Sequence, residues 1–179
     1  MKITHKTLLI TIVSTLILSC SSDDDQPTPE ETQNVLKINN QEFELKTGFY
    51  QISQVQEDLY AFGVILYDTE VIVSNGEAMP ENNTFNGIAF EINIDNSDKP
   101  EPGEYLFTGT ENPGVNAITD AFTISGNAET TSGELIEIEV ARLQVIESSE
   151  EYQFEMTAID EEDSEIEVRF RGELELITN

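Results

Sequence analysis

The stretch EYQFEMTAIDEEDSEIEVRFRGELEL, residues 151–176, decides the fold. Tyr152, Phe154, Met156 and Ala158 alternate with Glu151, Gln153, Glu155 and Thr157. After an acidic turn at residues 160–164, Ile166, Val168, Phe170, Gly172, Leu174 and Leu176 alternate with Glu165, Glu167, Arg169, Arg171, Glu173 and Glu175. Side chains on a strand point to opposite faces with a period of two, so each segment sets an apolar row against an ionic one. The turn places Arg169 across from Glu155 and Arg171 across from Gln153, where both arginines relieve repulsion between carboxylates. Upstream, residues 135–146 alternate through Ile136, Ile138 and Val140 and then shift phase to Leu143 and Val145. That slip predicts a β-bulge at Ala141 and Arg142, which adds twist to a long strand. The result is a C-terminal three-strand meander.

Working back towards the N-terminus, short alternating runs recur at residues 35–38, 41–45, 49–53, 59–67, 71–74, 87–95, 104–108 and 121–125, bounded by Gly, Pro, Asn and Asp. Asn39-Asn40 suits a hairpin turn, because Asn tolerates positive φ. No helical period of useful length appears. The chain is therefore expected to be all-β, with about ten strands in an antiparallel β-sandwich or a flattened β-barrel.

The first residues have another character. Lys2 and Lys6 precede an uncharged run at residues 8–18, then Ser19 and Cys20, the layout of a secretory signal. The run is shorter than the roughly 20 apolar residues of a spanning helix. Leu16-Ile17-Leu18-Ser19-Cys20 resembles the lipobox of bacterial lipoproteins, in which the cysteine takes a diacylglyceryl group. Ser21, Ser22, Asp23, Asp24 and Asp25 resemble the acidic signal that sends lipoproteins of the Bacteroidetes type to the outside of the outer membrane. Pro102-Gly103-Glu104-Tyr105 and Arg171-Gly172-Glu173-Leu174 are similar to motifs of small surface lipoproteins of that type with no assigned role. The resemblance implies a signal peptide at residues 1–19, lipid attachment at Cys20, and a membrane partner reached through that lipid. Residues 20–34 hold almost nothing apolar and read as a disordered acidic tether, and residues 35–179 as a single all-β domain.

Cleavage before Cys20 would remove His5, the only histidine, and Cys20 is the only cysteine. A lipidated mature chain would then hold no histidine and no thiol, so neither a Ser-His-Asp triad nor a Cys-His pair is expected, and the common zinc sites lack ligands. No catalytic residue, metal site or cofactor is expected. Two of the eight cations would leave with the signal while all 36 acids stay, so the mature charge is six minus 36, or −30. Such a surface repels nucleic acid.

Three groups of residues invite a function. The oxygen-rich turns at residues 95–98 and 160–163 could ligate calcium, although neither has the spacing of an EF-hand loop. Arg169 and Arg171 could hold an anion. The many acids could include a hydrolytic pair. Together with the tether, the missing catalytic side chains lead to the expectation of a non-enzymatic, surface-anchored binding module for a glycan, small molecule or protein. The alternatives are a barrel that carries a small apolar ligand and an acidic polysaccharide hydrolase. An interior cavity lined by Phe and Tyr favours the carrier, a cleft with converging carboxylates the hydrolase, and a filled core the interaction module.

Overall fold

The structure is a computed structural model that describes residues 34–74, 77–107, 114–130 and 132–177. Residues 1–33 lie outside that description, and with them the signal, Cys20, the run at residues 21–25 and nearly all of the tether. The described residues form thirteen strands and no helix: β1 (Val35–Ile38), β2 (Gln41–Glu44), β3 (Thr47–Gln56), β4 (Leu59–Tyr67), β5 (Val71–Ser74), β6 (Glu77–Pro80), β7 (Thr84–Ile94), β8 (Gly103–Phe107), β9 (Ala117–Asn127), β10 (Ser132–Ser148), β11 (Tyr152–Asp160), β12 (Glu165–Gly172) and β13 (Glu175–Leu176). Strands β5 and β6 form a separate hairpin. The other eleven form one sheet in the order β13-β3-β4-β7-β9-β8-β10-β11-β12-β1-β2, which curls into a half-barrel.

One curled sheet thus stands where the sequence leaves a choice between a two-sheet sandwich and a flattened barrel. Nor is it wholly antiparallel, since β8 pairs with β9 and β13 with β3 in parallel. The C-terminal meander β10-β11-β12 is antiparallel, and its register sets Arg169 opposite Glu155 and Arg171 opposite Gln153, as the turn predicts. Asn39 takes φ 54° in the β1–β2 turn.

Two expectations need correction within this meander. The phase slip in β10 comes from a bulge at Glu139 rather than at Ala141 and Arg142, because Ile138 pairs with Asp160 and Val140 already with Ile159, and a second shift follows at Ile146. Val140 consequently turns outward and is 59% exposed, while Ala141 takes the inward position. The last strand does not run through to Leu176 either. It ends at Gly172, and the chain leaves the meander to add β13 beside β3, so Leu174 is buried whereas Leu176 is 54% exposed.

The curl follows from three chain features. Strand β10 pairs with β9 along residues 132–137 and with β8 along residues 142–145, so one long strand changes neighbour at its bulge. Strand β2, at one end of the sheet order, runs into β3, near the other end, through Leu45 and Lys46 alone. The Leu45 amide donates to the Asn34 carbonyl at 3.0 Å and the Lys46 amide to Tyr67 at 2.8 Å, so successive residues bond to opposite ends of the sheet. Finally, Leu174 reaches across to β3 at Gly48, where a Cβ would collide with Leu174 and Leu66 side chains. Any larger residue there would force these side chains to shift.

Aromatic rings fill the inner face. Tyr50 and Phe62 from β3 and β4 stack at 5.3 Å, and each lies 5.8 Å from Tyr152 of β11. Phe154 meets Phe90 of β7 edge to face at 5.7 Å and Phe170 of β12 at 6.3 Å. The two arms of the curl therefore meet ring to ring, at separations where aromatic pairs attract beyond the burial of their area.

Candidate functional site

The oxygen-rich turns serve their own backbones. In the first, the Asn96 side-chain carbonyl accepts the amides of Asp98 at 3.0 Å and Lys99 at 3.1 Å. In the second, the Asp160 carboxylate, 2% exposed, accepts the amides of Glu162 at 3.0 Å and Ser164 at 2.8 Å, and Asp163 takes φ 61°. These are Asx turns, in which the oxygen lone pairs satisfy N–H groups at the bend. Among the described residues no three acidic side chains are grouped as a metal ion would need. The arginines are likewise engaged among carboxylates: Arg171 Nε donates to Glu151 at 2.9 Å, Arg142 pairs with Glu104 at 2.7 Å, and Arg169 faces Glu155.

A different region gathers a site. On the outer face of β3-β4-β7-β9, the register lines up Phe49, Ile65, Ala89 and Phe122 in one row, and Gln51, Gly63, Glu91 and Asp120 in the next. Their inward neighbours Val64, Phe90 and Ala121 are core residues, so period-two alternation turns these rows away from the interior. The small residues Gly63 and Ala89 leave the middle of the face low, with Ile177 and the buried Phe49, 2% exposed, on one side and the half-buried Phe122 on the other. They line a groove of about 220 Å³. It is smaller than the roughly 300–1,000 Å³ sites that enclose drug-sized ligands.

Carboxylates close one end of this groove. Glu91 and Asp120 are direct partners across β7 and β9, next to a register shift that leaves Thr119 as the extra residue of a bulge. Bulges re-aim side chains. Here the Thr119 hydroxyl donates to Glu91 Oε1 at 2.8 Å and to the Glu91 carbonyl at 3.3 Å, which fixes one acid. Burial pushes the Asp120 carboxyl above its ordinary value and the charge of Glu91 adds to the rise, against a lowering by the Ala121 backbone hydrogen bond. Neither row holds a cation to offset the pair.

None of these residues was singled out by the sequence. The strand expected at residues 121–125 in fact begins at Ala117, and Ala117 and Ile118 are both buried although adjacent. Ile118 and Ala121, three residues apart, also both face the core, and that change of phase marks the bulge at Thr119. A second signal is the pair of nearly unbroken apolar runs, Phe62-Gly63-Val64-Ile65-Leu66-Tyr67 and Gly87-Ile88-Ala89-Phe90, which make β4 and β7 apolar on both faces. No family model, curated protein or solved structure matches the chain.

Proposed function

We propose that this chain is a lipid-anchored, non-enzymatic binding module, tethered through Cys20 on the outer membrane surface, whose ligand site is the outer face of β3-β4-β7-β9. The observation that carries the proposal is the groove itself: an apolar, glycine- and alanine-floored depression on the outside of a strongly acidic domain. A concave, mostly apolar depression with a few polar groups at one end is the form in which proteins hold small ligands. The rings that fill the inner face count against a carrier with an interior chamber.

The hydrolase deserves weighing, because Glu91 and Asp120 do stand together in a cleft. Glycoside hydrolysis places its two acids on either side of the scissile bond. These two spring from adjacent strands in a single cross-strand row, side by side at one end of the groove. That arrangement suits holding a ligand rather than flanking one.

Nile red, a neutral apolar dye, tests the site. Binding by the full chain should be lost in Ala89→Trp, which fills the floor, and unchanged in Thr157→Trp on the meander's outer face; equal binding by all three would count against the groove. The anchor is tested separately. Cys20→Ser should release the protein from the membrane fraction, and retention after a high-salt wash would refute lipidation.

A further inference from the structure

We propose that the groove takes a small organic ammonium ligand, its apolar body over Gly63 and Ala89 between Ile177 and Phe122, and its cationic head between the carboxylates of Glu91 and Asp120. The proposal rests on the binding-module reading and names the ligand class. Charge complementarity carries it. Two acids stand directly opposite each other across paired strands, in rows otherwise made of Gln51, glycine, alanine and apolar side chains. Like charges directly opposite on a sheet are destabilising, and on the meander the acids stand instead opposite cations or neutral side chains, Glu155 opposite Arg169, Glu167 opposite Lys37 and Glu104 opposite Gln144. At Glu91 and Asp120 the relieving cation is not supplied by the rows themselves. The direction of the Asp120 shift agrees, since a nearby positive charge would favour the ionised form of both acids.

A metal ion fits less well, because calcium needs six to eight oxygens and the row supplies two carboxylates and one amide. Beside them stands an apolar wall that a bare ion would not use. An ammonium group carries up to three donors, enough to engage both carboxylates, and an attached hydrocarbon would bury itself in the groove. Thr119 acts as a positioning residue, holding Glu91 by its hydroxyl while leaving the second carboxylate oxygen to the ligand.

Benzylamine, charged at neutral pH, and benzyl alcohol, its neutral counterpart, are the probes. They are titrated calorimetrically into the full chain held in nanodiscs, with empty nanodiscs as the blank. Benzylamine should bind roughly tenfold or more tightly than the alcohol, the return of one charge-assisted hydrogen bond. Glu91→Gln combined with Asp120→Asn should abolish the preference, so that benzylamine and the alcohol bind this variant equally. Asp120→Asn alone should lose part of the preference, which protects the test if the double variant fails to fold. Affinity for benzylamine should also fall on acidification through the raised Asp120 titration, because the protonated acid no longer attracts the cation.

Equal affinity for the two probes would overturn the ammonium proposal and leave the groove as an apolar site. Binding of neither would overturn both. Tighter binding of benzylamine that survives Ala89→Trp would show attraction by the whole acidic surface, and would also overturn the proposal.

Discussion

The outer face of the meander and the outer face of β3-β4-β7-β9 belong to one sheet, yet they differ in chemistry. On the meander the rows are Gln144, Glu155 and Arg169, and Arg142, Thr157 and Glu167, with Lys37 of β1 continuing the second and 3.8 Å from Glu167. Charges of both signs interleave, and water covers them without help. On the other arm the rows are apolar and small, and the only charges are two acids. Antiparallel strands usually turn one face to solvent, and strands apolar on both faces are usually covered on both. The difference separates a face that needs only water from the face to which the proposed ligand is assigned.

Substitutions on each face should sharpen the contrast. The largest effect belongs to neither outer face but to the rings that join the arms: Phe154→Ala should cost about 3–5 kcal/mol in urea unfolding, since it removes the ring between Phe90, Tyr152 and Phe170. Phe122→Ala, half-buried on the groove wall, should cost about 1 kcal/mol, well below the core value, while reducing Nile red binding severalfold. If its loss of stability matched that of Phe154→Ala, Phe122 would be a core residue and the groove no open face.

On the meander, Arg169→Ala should lower stability by at most about 1 kcal/mol, because partly exposed ion pairs contribute little, and should leave probe binding untouched. The smallest effect is expected at Asp120. Its folded carboxyl titrates above the unfolded one, so the folded state holds the proton more tightly and the ionised form disfavours folding as pH rises through that window. Asp120→Asn should therefore raise the melting temperature slightly at neutral pH. The gain should vanish once the pH falls below both values. A gain that grew on acidification would reverse the sign assigned to this group.

Much of the meander was legible in the sequence, because strict alternation from Tyr152 to Ala158 and from Ile166 to Phe170 leaves one register that buries every apolar side chain. The bulge was misplaced by two residues for a physical reason. Val140 is apolar and Ala141 small, so composition favours Val140 inside, while only the pairing with Ile159 reveals that Glu139 is the extra residue. The half-barrel was less legible still. It depends on joining β13 to β3, a pairing distant in sequence, and on a two-residue link from β2 to β3 whose amides bond to opposite ends of the sheet, and neither has a local pattern. The groove was missed because it spans four strands, each contributing one or two residues. Gly63 and Ala89 look unremarkable until the register sets Ile65, Ala89 and Phe122 side by side.

The most direct test of the contrast is to locate the binding face. A diazirine derivative of benzylamine, bound to the full chain in membranes, activated by light and mapped by peptide mass spectrometry, reports which residues the ligand touches. Binding in the groove predicts labels on Ile65, Ala89 and Phe122, lost when excess benzylamine competes. Labels gathered instead on Thr157 and Glu167 of the meander, or on the inward rings of Tyr152 and Phe154, would contradict it.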